Sequence, residues 1–276
     1  MTLDRDAFMR YSRHLLMADV GEQGQETLLE SRVLVVGLGG LGCPVALYLT
    51  AAGVGHLTLC DPDNVDLTNL QRQILYTEAD CGEPKVDCAL VALRALNPSV
   101  TFNTHCAVVG DSVLPEGGAD FDVVIDCTDN LAARHWLNRR CHELGIPLVS
   151  AAALGWEGQL MTFDFARGSR PCLACAIPED AGEPLANCGN SGVIGPVLGV
   201  MGSLQAIATL RLLLKGTNGA DNEPYRPLLQ RFDGRRETWT RFAIRPVSQC
   251  PVCGDEQPET HGNDIHQDKN TERKQL

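Results

Sequence analysis

Three groups of residues in this sequence have the types and spacing to do chemistry. The first is Gly37-Leu38-Gly39-Gly40-Leu41-Gly42, set between an apolar run and a helix-like pattern in RVLVVGLGGLGCPVALYLT. In a G-x-G-x-x-G turn, Gly37 permits the tight turn, Gly39 lets backbone N–H groups approach phosphate oxygens, and Gly42 lets helix and strand pack closely. Asp61, about twenty residues further on, is placed to bind ribose hydroxyls. Those residues by themselves fit NAD or FAD as well as ATP.

The second group separates these nucleotides. Asn69, Gln71, Arg72 and Gln73 follow the next apolar run, and Lys85 opens the helix after it. A dehydrogenase needs only a carboxylate here. Two cations with amide donors suit a triphosphate, whose negative charge must be neutralised before attack. Asp129 and Asn130 lie in DCTDN, where a further strand ends. A carboxylate beside a triphosphate calls for a divalent cation between them. The plainer readings are a solvated polar loop for Arg72 and Lys85, and a helix N-cap for Asp129. Taken with the glycine turn, the set points to ATP with Mg2+.

Cysteines form the third group. Cys172-Leu-Ala-Cys175 and Cys250-Pro-Val-Cys253 are two C-x-x-C knuckles far apart in the chain. Four thiolates so paired suit a closed, structural tetrahedral Zn2+ site that would staple a crossover to the C-terminal strands. Redox pairs and two local disulfides are the competing readings, but neither knuckle sits on a strand-to-helix turn of the βαβ region. Cys43, Cys60, Cys88, Cys127 and Cys141 fall in apolar patterns and are expected to be buried. Cys188, in LANCGNSG, stands apart in a polar loop. It reads either as an inert small residue or as an accessible thiol.

The elements that must position these residues follow from periodicity. An amphipathic helix is expected over residues 5–17, with Phe8, Tyr11, Leu15 and Leu16 on one side. Strands are expected at 32–36, 56–60, 100–104, 121–125 and 147–150. Helices are expected at about 41–52, 84–96 and 131–144. This alternation predicts an α/β fold: a Rossmann-like, doubly wound, mostly parallel sheet. Antiparallel strands near 159–165, 228–232 and 237–244 would extend it, with a long apolar helix at about 193–214 after the crossover. Residues 1–254 read as a single domain, with N-terminal helices and a zinc-stapled C-terminal extension. Residues 255–276 hold almost nothing apolar and are expected to be disordered.

Composition narrows the partners. The chain has 276 residues, 44% hydrophobic, with a formal charge of −12. That charge argues against nucleic acid or an anionic membrane as a main partner. The first residues are charged and lack the apolar core of a signal peptide. Pro196, several glycines, Ser203 and Gln205 interrupt the most apolar stretch, so a buried helix is expected there rather than a membrane span. The expected location is cytoplasmic.

The motifs RYSRHLL, VLVVGLGGLG, NLQRQILY, GEPK, DCTDN, GVIGPVLGVMGSLQA and CPVCG, spread over residues 5–254, resemble those of the ThiF/MoeB/HesA group, bacterial relatives of ubiquitin-activating enzymes. FMRYSRHLL, GVIGPVLGVMGSLQ and CPVCG look closer to ThiF than to MoeB. The resemblance implies adenylation of the C-terminal Gly-Gly tail of a ubiquitin-like sulfur carrier, ThiS-like and serving thiamine synthesis. A MoaD-like carrier for molybdopterin, or another sulfur pathway, is the alternative. By motif, Gly39, Gly40, Asn69, Arg72 and Lys85 would contact the phosphates. Asp61 would hold the ribose, Asp129 would organise magnesium, and Thr68, Leu70, Gln71 and Asn130 would also belong to the nucleotide site. Arg13 would reach into the neighbouring subunit of a homodimer, and Cys188 would be a candidate for a covalent link to the carrier tail. The sulfur would come from a separate donor, a cysteine desulfurase or a rhodanese-like protein. The rivals from other classes are an NAD-binding oxidoreductase and a zinc-stapled adaptor that binds a ubiquitin-like protein without activating it.

Overall fold

A computed structural model of the chain describes residues 3–116, 120–168, 170–179, 192–215, 217 and 227–254. The elements in order are α1 Arg5–Arg10, α2 Ser12–Leu15, α3 Gly21–Glu30, β1 Arg32–Val36, α4 Gly42–Ala52, β2 His56–Cys60, α5 Lys85–Leu96, β3 Thr101–His105, β4 Val123–Asp126, α6 Leu131–Leu144, β5 Leu148–Leu154, β6 Glu157–Phe163, α7 Leu173–Ala176, α8 Gly195–Leu213, β7 Leu228–Asp233 and β8 Thr238–Ala243. The strands form one eight-stranded sheet in the order β3-β2-β1-β4-β5-β6-β7-β8. From β3 to β5 the neighbours are parallel, and from β5 to β8 they are antiparallel. This is the doubly wound sheet with an antiparallel extension that the sequence predicts.

Burial explains why the first strands read as continuous apolar runs. Val33 and Val35 of β1 face a core shared with α4, α5 and α8, while Leu34 and Val36 face a second core on the other side of the sheet. Both faces being covered, neither can be polar. β8 is exposed throughout, so its residues alternate little in burial. α8 is, among the described residues, the one helix long and apolar enough to cross a membrane. It packs instead on α4, β5 and β6, with Val197, Leu198, Met201 and Ala206 buried. Gly202 permits that approach, because a Cβ there would lie 2.5 Å from Pro44 Cγ.

Three boundaries differ from expectation. The single amphipathic helix over 5–17 is two short helices broken at Tyr11, followed by α3, which periodicity did not reveal. Tyr11 alone of the expected face is buried, its hydroxyl accepting from Asn97 Nδ2 at 2.9 Å; Phe8 and Leu16 are exposed. β5 runs on to Leu154 and turns through Gly155, at φ 58°, straight into β6, and Asp126 belongs to β4 rather than to the loop after it. A strand edge hidden in a run of alanines carries no alternation to mark it. Of the cysteines expected to be buried, Cys88 is only half-buried. The 255–276 tail lies outside the described residues.

Candidate functional site

β1 and β4 are adjacent, so the chain leaves them in opposite directions and opens a crevice at their carboxyl ends. The Gly37 turn and the Cys127–Asn130 loop meet there. Gly37 has φ 91°, and a Cβ on it would sit 2.7 Å from Cys127 O; a Cβ on Gly42 would collide with the Gly37 carbonyl oxygen. Glycine is therefore required at both, as the motif argues. A Cβ on Gly40 would instead strike Leu198 of α8, at 2.5 Å, whereas Gly39 has ordinary space in front of it. A cavity of about 1040 Å3 opens over this turn, and the eleven-residue α4 points its positive end at it.

Asp61, at the end of β2, is 4% exposed. Its two oxygens accept from Leu38 N–H at 2.6 Å and Asp63 N–H at 2.9 Å. Burial pushes its carboxyl above the ordinary range, and Lys85 with those two N–H donors pulls the other way. Each oxygen keeps a lone pair for a hydroxyl donor. Lys85, the first residue of α5, is buried, with Nζ 2.9 Å from Asp63 Oδ2 and 3.9 Å from Asp61 Oδ1. Its backbone N–H also bonds Asp63 O at 3.0 Å, so the end of β2 and the start of α5 are stitched around the ammonium.

The segment between them sorts itself by turn geometry. Leu67–Asn69 is a 3-10 turn capped by Asp66, whose carboxylate accepts from Thr68 N and Thr68 Oγ1. Thr68, Asn69, Arg72 and Gln73 line the cavity. Leu70 packs toward the core, and Gln71 is exposed on the far side, its carbonyl 2.8 Å from where a Cβ on Gly195 would lie. Thr68 with Arg72 and Asn69 with Gln73 are each four residues apart, and Gln73 N–H bonds Asn69 O at 3.0 Å as in one α-helical turn, so these pairs share the cavity side while Leu70 and Gln71 lie on the other. Gln73, and not Gln71, lines the cavity. It is 3% exposed, and its Oε1 has no partner among the described residues.

On the opposite wall, Asn130 Oδ1 accepts from Ala133 N–H at 2.8 Å and caps α6. Asp129 is exposed, lines the cavity and has no hydrogen bond or ion pair among the described residues. Beneath it lies a buried polar node that the sequence did not reveal. Asp126 accepts from Ser150 Oγ and Thr128 Oγ1, both at 2.6 Å. Arg134 donates to Thr128 O at 2.8 Å and Ala151 O at 2.9 Å. Its Nε lies 3.1 Å from Asp126 Oδ2, a charge pairing without hydrogen-bond alignment. Gln205 of α8 donates to Asp126 O at 2.8 Å. An arginine at the fourth position of a helix gives no sign in sequence that it reaches back to tie the loop after β4 to β5.

Arg13 is exposed on α2 and does not line the cavity. Cys188 lies outside the described residues. The cysteine knuckles do meet: Cys172, Cys175, Cys250 and Cys253 place their sulfurs within 4.8 Å of one another. The Cys172–Cys250 and Cys175–Cys253 separations are 3.6 and 3.4 Å. Disulfides need about 2.05 Å, whereas a tetrahedron with Zn–S bonds of about 2.3 Å has edges of about 3.8 Å. The donor set fits a soft divalent metal. Burial pushes the Cys172 thiol well up and Cys253 to about 11; for Cys250 burial acts the same way but is outweighed by backbone N–H donors from Cys253 and Val252, which leave it lowered. A metal ion would supply the charge that lets all four ionise.

A family model described as ThiF family matches residues 11–252. The chain is 45% identical over 251 residues to the sulfur carrier protein ThiS adenylyltransferase of Escherichia coli (strain K12), covering 91% of this chain and 96% of that one. It is 39% identical over 252 residues to the molybdopterin-synthase adenylyltransferase of the same organism, covering 91% and 98%. Against the adenylyltransferase and sulfurtransferase MOCS3 of Aedes aegypti it is 43% identical and covers 92% of this chain, but it spans only 57% of that relative. Among solved structures, E. coli MccB with MccA-N7isoASN superposes with a TM-score of 0.74 at 21% identity, covering 89% of this chain and 75% of that one.

Proposed function

The chain belongs to the ThiF family, and from that premise we propose that it is an ATP-dependent adenylyltransferase activating the C-terminal glycine of a ThiS-like sulfur carrier. One observation carries the reading: Asn69, Arg72, Lys85 and Asp129, the last without a partner among the described residues, line the same cavity as the glycine turn. The carrier carboxylate attacks the α-phosphorus of ATP, an acyl–phosphate bond forms, and pyrophosphate leaves. Such an in-line displacement depends on positioned phosphates and charge stabilisation more than on a protein base. Lys85, Arg72 and Asn69 hold the phosphates, Asp61 accepts the ribose hydroxyls, and the α4 N-terminus favours the negative charge. Asp129 would hold Mg2+, which supplies charge neutralisation on the phosphates. Cys172, Cys175, Cys250 and Cys253 would hold a structural Zn2+.

Residues 1–254 would make a single domain; the continuous ladder that joins the parallel and antiparallel halves of the sheet supports this. The protein works as a homodimer in which Arg13 serves the neighbouring site; the exposed Phe8, Met9, Leu16 and Met17 on and beside α1 and α2 support a covered face there. Cys188 attacks the acyl-adenylate to give a thioester and AMP, and a separate donor then supplies sulfur. All the described cysteines being free supports a reducing, cytoplasmic setting.

The test is exchange of labelled pyrophosphate into ATP, which should require a carrier ending in Gly-Gly. Exchange without a carrier, or NADH turnover with no ATP binding, would sink the proposal. A MoaD-like carrier is the second reading, favoured by the molybdopterin-synthase relative. Parallel assays with both carriers decide between them.

A further inference from the structure

Asn138 is fully buried in the middle of α6, and both ends of its amide are engaged. Its Oδ1 accepts from Leu173 N–H at 3.0 Å, and its Nδ2 lies 3.6 Å from Cys172 Sγ. The orientation of the amide is dictated chemically. Leu173 N–H can only donate, so the oxygen must face it, and the NH2 group is thereby turned to the sulfur.

We propose that Asn138 is an outer-shell partner of the metal held by the four cysteines, its N–H···S bond positioning Cys172 and tuning it as a ligand. This rests on reading the cluster as a metal site. Thiolate ligands gain from such donors, because an N–H group stabilises the negative charge on sulfur and fixes the direction of its lone pairs. The bond also joins the cluster to the nucleotide cavity along one rigid element. One turn before Asn138, Arg134 ties Thr128 O and Ala151 O together, and Asn130 caps the same helix beside Asp129. The metal thus bears on the helix that carries the cavity wall, besides stapling the C-terminal strands.

A merely structural role is the alternative: Asn138 would only satisfy the first N–H of the four-residue α7. Asn138→Asp separates the two, since it keeps an acceptor for Leu173 N–H and removes the donor to sulfur. The intact protein is loaded with zinc or cobalt and competed with a chelator. We expect Asn138→Asp to bind metal about 10–100-fold more weakly, with a shifted sulfur-to-cobalt charge-transfer band. Affinity within two-fold of the unsubstituted protein and an unmoved band would overturn the proposal. If the variant fails to fold, the unsubstituted protein loaded with 113Cd decides. A scalar coupling between the Asn138 side-chain amide proton and the metal supports the bond, and its absence refutes it. If the unsubstituted protein takes up no metal, the four-cysteine reading itself falls, and this one with it.

Discussion

Asn130 caps α6 and leaves the neighbouring Asp129 free: the Asn130 carboxamide accepts from Ala133 N–H, while the Asp129 carboxylate lines the cavity with no partner among the described residues. The two side chains therefore have separable costs. Asn130→Ala should lose about 1 kcal/mol of stability, the usual worth of an N-cap. Asp129→Ala should change stability by less than about 0.5 kcal/mol yet lower pyrophosphate exchange by about 100-fold or more. Urea unfolding and exchange on both variants check this. Near-normal exchange in Asp129→Ala would end its role with magnesium.

Lys85 and Arg72 should differ in the same way. Lys85 is buried beside Asp61, so Lys85→Met leaves a buried carboxylate without its cation. We expect a stability loss on the order of 1–3 kcal/mol together with loss of exchange. Among the described residues the Arg72 guanidinium bonds only Thr68 O, at 3.0 Å, and the residue is half-exposed. Arg72→Ala should keep its unfolding midpoint while the KM for ATP rises. Equal destabilisation by both would show that the cavity wall depends on Arg72 as well.

The cysteine cluster predicts one zinc per chain by metal analysis. Stripping it should lower the thermal midpoint, because the four clustered thiols, three of them buried, lose the ion that holds two distant segments together. Cys250→Ser should behave like the stripped protein. Mass spectrometry showing Cys172–Cys175 and Cys250–Cys253 disulfides in fresh protein would contradict this.

Burial pushes Cys43 and Cys60 up to about 12, while Cys81 and Cys106 are exposed. Iodoacetamide at pH 8 should label Cys81 and Cys106 in the folded protein and spare Cys43, Cys60, Cys127 and Cys141 until urea is added. Peptide mass spectrometry reads the pattern. Rapid native labelling of Cys43 would mean that the strand–helix packing behind the glycine turn opens readily.

His135 and His142 are held below the ordinary histidine value, by burial first; Glu179 opposes this at His135, and Arg170 adds to it at His142. The unfolded chain takes up these protons near pH 6.5 and the folded chain does so only lower. Stability is thus full above that pH and falls as pH drops through it. Thermal unfolding from pH 7.5 to 5.5 should show the decline, and a His135→Gln/His142→Gln double variant should flatten it. An unchanged slope would assign the acid sensitivity to other groups.

Short-range pattern was enough for much of this protein. Gly37, Gly39 and Gly42, the Asp61 spacing and the two C-x-x-C knuckles are read within one turn or one strand, where chain geometry leaves few choices. Strand–helix alternation likewise implied the parallel sheet, because both faces of β1 and β4 must be apolar when helices cover both. Packing between elements decided the rest. Only the β1–β4 adjacency brings the glycine turn against Cys127. Only the fold of residues 67–73 turns Gln73 inward and leaves Leu70 and Gln71 outside the cavity. Phe8 and Leu16 share an apolar stripe with Tyr11, but the break at Tyr11 buries one and exposes the others. Asp126, Arg134, Ser150 and Gln205 come from two strands and two helices, and Asn138 meets Cys172 across a gap of 34 positions. Hydrogen bonds between side chains so far apart follow no sequence period, since they depend on the order in which strands line up and on which turn of a helix lies against them.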